Sequence, residues 1–157
     1  MKNDRGFSLV ELIIVLAIMA VLVGIVGTQV IPYMENSRRA KDVQILSAYV
    51  TAGVVAYVSH ADYAPTSGEM NVEISSNGSE DVFSCDIDDA QKIADEMENL
   101  IGQNYITDAD EKFSSKTYRP IVKIRVVYDF DNRTIKVFAI DGSNNVINAN
   151  ENVYGTL

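Results

Sequence analysis

With 157 residues and a formal net charge of −9, the chain has room for one domain beside an N-terminal segment. The acidic balance argues against a nucleic-acid surface, which needs a basic patch, and the single cysteine, Cys85, rules out an intrachain disulfide. The charge is uneven. From Asp42 onward 19 acids stand against 8 bases, a net of −11, which fits a solvated domain exposed to bulk water. No internal repeat or low-complexity tract interrupts the chain.

The chain opens with a short polar leader, Met1–Arg5, and then Gly6-Phe7-Ser8-Leu9-Val10-Glu11. From Leu12 to Met34 run 23 residues without a charge. At about 1.5 Å rise per residue they make a helix of roughly 35 Å, enough to cross a bilayer core about 30 Å thick with some tilt. Glu11 is the anomaly. A carboxylate in a membrane helix is expensive and usually marks a functional contact. A cleaved secretory signal would have a shorter apolar run, and Ala17 and Ala20 lack the spacing of its cleavage site. A plain anchor explains the length and leaves Glu11 without a purpose. A third reading places a cut after Gly6, a residue with no side chain, and leaves the helix on the mature protein.

These residues, after a leader carrying Lys2 and Arg5, resemble the class III signal of type IV pilins and type II secretion pseudopilins. The likeness covers about the first thirty-five residues; Asp4, an acid in a normally basic leader, departs from the pattern. The resemblance implies that a prepilin peptidase cuts between Gly6 and Phe7 and methylates the new Phe7 amine. It implies that Glu11, fifth after the cut, pairs with the Phe7 amine of a neighbouring subunit. An unpaired carboxylate in lipid seeks an ammonium on another helix, so Glu11 sets axial register between copies.

Ala17, Ala20, Gly24 and Gly27 recur at spacings of three and four and form a stripe of small residues for close helix packing, nearly opposite Glu11. Gly24, Gly27 and Pro32 weaken the helix locally. Lys2 and Arg5 at one end of the span and Arg38, Arg39 and Lys41 at the other give no clear orientation by charge. The pilin resemblance implies that residues 35–157 lie outside the cytoplasm.

From Arg38 the pattern becomes an amphipathic helix, with Val43, Leu46, Val50, Val54 and Tyr57 on its stripe and Ile45 and Ala52 beside it. One long helix is expected from about Phe7 to about Ser59. Residues 60–86 read as a polar loop with a short strand at Asn71–Ile74. Asp88 or Asp89 caps a short helix through Leu100, with Ile93, Met97 and Leu100 on one face and Gly102 as its stop. Ile121–Phe130 alternates as a strand, with Val122, Ile124, Val126, Tyr128 and Phe130 inward. An Asp131-Asn132 turn then sets Tyr128 opposite Ile135, Val126 opposite Val137 and Ile124 opposite Ala139. Asp141–Asn145 turns the chain into a strand at Val146–Ala149. The fold class expected is α+β: a long N-terminal helix, transmembrane then amphipathic, packed on a small antiparallel sheet, as the pilin resemblance also implies. The segments are a leader, 1–6, an assembly helix, 7–34, and a head, 35–157.

Other sites give weaker signals. His60, the one histidine, has no nucleophile motif beside it. The acid clusters at 86–89, 108–111 and 129–131 lack calcium-loop spacing, although the C-terminal calcium loop of major pseudopilins keeps that ion in view. Cys85 reads as a buried small side chain. Asn77-Gly78-Ser79 and Asn132-Arg133-Thr134 fit the glycosylation pattern only formally. Tyr33, Tyr49 and Tyr57 read as core. The function expected is a structural subunit of a type IV pilus-like filament, without enzymatic activity, metal or cofactor. A pseudopilin of a secretion or DNA-uptake system is the alternative within the class; a membrane-anchored binding module is the alternative outside it. The partners implied are the prepilin peptidase, further copies and other pilins, an inner-membrane assembly platform, and the bilayer before assembly, with no direct nucleic-acid contact.

Overall fold

The computed structural model describes residues 8–149 and 153–157. It divides into two units, Met1–Ser37 and Arg38–Leu157. In the first, helix α1 (Leu9–Ile25) passes through a π-helical turn at Val26–Val30 into helix α2 (Ile31–Ser59). All residues from Ser8 to Met34 are exposed, as expected of a helix whose apolar surface meets lipid or other helices. The π turn falls where Gly24, Gly27 and Pro32 weaken the helix. Pro32 has no N–H for the Thr28 carbonyl. Just before it, the Ile31 N–H reaches back to the carbonyl of Val26, a wider loop than the α-helical bond. The Thr28 hydroxyl donates to the Gly24 carbonyl at 3.0 Å.

In the second unit, the rest of α2 lies on a five-stranded antiparallel sheet in the order β2-β1-β3-β4-β5. Its strands are β1 (Glu69–Ser76), β2 (Asp81–Cys85), β3 (Ile121–Asp129), β4 (Thr134–Asp141) and β5 (Tyr154–Thr156). Helix α3 (Gln91–Ile101) and the single turn α4 (Ala109–Lys112) follow β2. The protein is α+β, with a long N-terminal helix and an antiparallel sheet. The buried stripe of α2 runs through Leu46, Tyr49, Ala52, Gly53 and Ala56, flanked by half-buried Val43, Val50, Val54 and Tyr57. Gly53 is where helix and sheet come closest. A Cβ there would run into Ile135 and lie 3.0 Å from the Tyr128 hydroxyl, which donates to the Gly53 carbonyl. Gly53→Ala is therefore expected to lower head stability by about 1–3 kcal/mol, read as a lower melting temperature by circular dichroism.

The β3–β4 register is as the sequence predicts: Tyr128 with Ile135, Val126 with Val137, Ile124 with Ala139. The turn differs in detail, since the left-handed residue is Arg133, at φ 52°. The Asp129 carboxylate holds this turn by accepting from Asn132 N at 2.9 Å and Nδ2 at 2.7 Å, bonds that keep its own pKa below the usual range. A bulge between Ile121 and Lys123 turns Ile121 inward and leaves Val122 exposed, contrary to the simple alternation. The strand ends at Asp129, and Phe130 lies half-buried against Tyr57 and Tyr128.

Three other expectations fail for identifiable reasons. The short strand expected at Asn71–Ile74 lies within β1, but the polar stretch around it holds a full hairpin, β1–β2. Met70, Val72 and Ile74 face the core, while Asn71, Glu73 and Ser75 give the outer face a loop-like composition. Neither Asp88 nor Asp89 caps α3 through its side chain, because a 3₁₀ turn at Asp88–Ala90 leads into the helix; Gly102 does stop it, at φ 58°. Ile93, Ala94 and Met97 are buried there, and Leu100 is exposed. Val146–Ala149 makes one bridge, Val146 to Ile140, and the fifth strand is Tyr154–Thr156.

Two carboxamides stand in for missing strands at the sheet's borders. Gln91 accepts from Cys85 N at 2.8 Å and donates to the Phe83 carbonyl at 3.0 Å, closing the outer side of β2. Asn148, buried, accepts from Ala139 N and donates to the Val137 carbonyl, both at 2.8 Å, closing β4 beyond β5. On the outer face Glu73 bridges Lys123 at 2.9 Å and Arg125 at 2.6 Å, and the Lys123 bond leads in holding its pKa down.

Candidate functional site

The anomalous carboxylate lies in the first turn of α1. Ser8 is the N-cap, and its hydroxyl accepts from Val10 N at 3.4 Å. The Glu11 side chain turns back and accepts from Ser8 N at 2.8 Å, completing a capping box. The carboxylate thus points toward the N-terminal end of the helix, where unpaired N–H groups give a positive field. Ser8-Leu9-Val10-Glu11 carries the S-x-x-E signature of this box, a signal that attention to Glu11 as a lone charge passes over. Its consequence is that Glu11 has a donor within its own chain.

Gly6 and Phe7 lie outside the described residues. Ala17, Ala20, Gly24 and Gly27 are exposed on the first unit, and a Cβ on either glycine would meet open space. After Glu11 no charge follows in the run Leu12–Met34.

The remaining candidates take structural places in the head. His60 follows the end of α2 with its ring 6.3 Å from that of Tyr63, and its Nδ1 is enclosed without a hydrogen-bond partner among the described residues. Cys85 is half-buried, and burial pushes its thiol pKa up, away from nucleophilic reactivity. Several acids of the loops are engaged by their own neighbourhood. Asp86 accepts from Asn71 N and Nδ2, Asp131 from Gly68 N, and Asp141 from Ser143 N and Asn145 N. Among the described residues no three His, Cys, Asp or Glu side chains converge as a metal site. Asn77 and Asn132 both occupy hairpin turns. Tyr49 and Tyr57 are in the head core or at its margin, whereas Tyr33 is exposed.

A helix laid over an antiparallel sheet, preceded in sequence by an exposed apolar helix, is a pilin-like arrangement. Residues 1–27 match a family model described as the prokaryotic N-terminal methylation motif. The chain therefore carries the class III signal of type IV pilins and pseudopilins, a prepilin-type N-terminus, ahead of a helix long and apolar enough to cross a membrane. No curated protein and no solved structure matches the chain.

Proposed function

We propose that this chain is a structural subunit of a type IV pilus-like filament. The prepilin peptidase removes residues 1–6 and methylates Phe7. The subunit then waits in the membrane on its apolar helix until an assembly platform in the inner membrane adds it to a growing fibre. The observation that supports this best is the aim of Glu11. Its carboxylate is held 2.8 Å from the Ser8 amide, one residue from the amine that cleavage would create. In the membrane the intrachain bond satisfies one oxygen. In the fibre an incoming Phe7 ammonium at the same height supplies the opposite charge, a stronger partner than a neutral amide. Ala17, Ala20, Gly24 and Gly27 let neighbouring helices approach closely around that contact. The acidic heads remain on the surface.

The experiment is intact mass and N-terminal sequencing of the protein from its native host. A chain beginning at methylated Phe7 is the expected result. A chain beginning at Met1, or beyond Ala20, would break the reading and favour a membrane-anchored or secreted module.

A further inference from the structure

We propose that Gln29 is a contact between copies: its carboxamide donates to the Gly27 carbonyl of a second chain, joining apolar helices side by side. This rests on the membrane-inserted reading above and involves the first unit alone.

The acceptor is set by the π turn. There the Ile31 N–H, the α-helical donor for Gly27, is spent on the Val26 carbonyl. The next donor along the chain would be residue 32, a proline with no N–H. The Thr28 hydroxyl does not fill the gap, since it donates to the Gly24 and Ile25 carbonyls at 3.0 and 3.4 Å. The Gly27 carbonyl is thus left without a donor from its own helix. Gly27 also ends the stripe of small residues, and a Cβ on it would meet open space, so a neighbouring helix can approach that carbonyl.

The donor lies two residues further on. Gln29 is exposed, and its carboxamide has no hydrogen-bond partner among the described residues. It stands inside the uncharged run, five residues or about 8 Å before Met34. Where water is excluded, an unpaired amide and an unpaired carbonyl are both costly, and bonds between helices are how membrane segments satisfy them. Gln29 and Gly27 cannot serve one another within a chain, because positions i and i+2 of a helix do not face each other.

That separation also sets the kind of contact. With donor and acceptor on different sides, each copy gives to one neighbour and receives from another. The contact is heterologous, and it extends along a row of helices. Between parallel helices it asks for a stagger of two residues, about 3 Å.

Sedimentation equilibrium of the full-length protein in density-matched detergent micelles tests this. The parent is expected to associate as its concentration in the micelles rises. Gln29→Leu, which keeps the bulk and removes the donor, should weaken association about three- to tenfold. Pro32→Ala lets the turn close as an α-helix, with the Ile31 N–H on the Gly27 carbonyl, and should weaken it similarly. The double variant should be no weaker than either single one, because both changes remove the same bond. Circular dichroism like the parent's shows that the head is folded in each. The contact is overturned by a parent that stays monomeric, by Gln29→Leu protein that associates as tightly as the parent, or by losses that add in the double variant. The filament reading fails separately, through a native chain that begins at Met1.

Discussion

Glu11→Ala is expected to abolish filament formation while leaving leader removal and the head fold unchanged. The variant loses two things of unequal size. The capping bond to Ser8 is worth about 1 kcal/mol to the end of α1, and its loss frays a single turn. The larger effect arises between copies. Each incoming ammonium would enter an apolar layer without its counter-ion, a loss of about 3–5 kcal/mol per contact when one partner of a buried pair is removed. In a fibre every subunit repeats it. Ser8→Ala separates the two contributions, since it removes the cap hydroxyl and leaves the carboxylate; it should still assemble, at a modestly reduced level. Filament yield after shearing, set against the amount of processed protein in the membrane, measures both. Glu11→Ala fibres at normal levels would sink the filament mechanism and leave a membrane-anchored binding module as the better account.

Asp42→Ala should be the most damaging single truncation in the head. One buried carboxylate receives Ser114 N, Ser115 N and, at 3.4 Å, the Ser114 hydroxyl. Alanine would strand these donors in a region where Phe113, Ser115 and Tyr118 are fully buried. Hydrogen bonds to a charged group contribute about 1.5–3 kcal/mol each, and an unsatisfied buried donor costs about 1–3 kcal/mol. Losses overlap within a network, so about 3–5 kcal/mol is expected, a large share of a small domain's stability. Thermal unfolding of full-length protein in detergent, followed by near-ultraviolet circular dichroism, reports it. Asp42→Asn, which keeps an acceptor of the same shape, should lose less than half as much. If alanine and asparagine are equally mild, the loop is held by Phe113 and Tyr118 and not by the carboxylate.

The parts of this fold that show in the sequence are those where one signal is repeated. The span is legible because 23 residues agree, and the β3–β4 pairing because turn and alternation independently give one register. What escapes depends on single residues acting across distance. The β1–β2 hairpin hides because Glu73 is on the outer face for Lys123 and Arg125, partners some fifty positions away. The bulge that ejects Val122 has no marker in composition. Asp42 looks like one more acid at a helix surface until Ser114 and Ser115 close over it. At the candidate site, Glu11 stands out as a charge in an apolar run, while its capping role is written in Ser8, an ordinary residue in an ordinary place.

The Gln91 and Asn148 carboxamides have a consequence for life in a crowd. In the filament reading proposed above, subunits waiting in a membrane would face one another at high local density, where open strands invite irreversible cross-β stacking. Filling the ladder positions beside Phe83, Cys85, Val137 and Ala139 from within the same chain removes a template that a neighbour could copy. On that reading the heads would stay separable at high concentration, and cohesion would be left to the apolar stems.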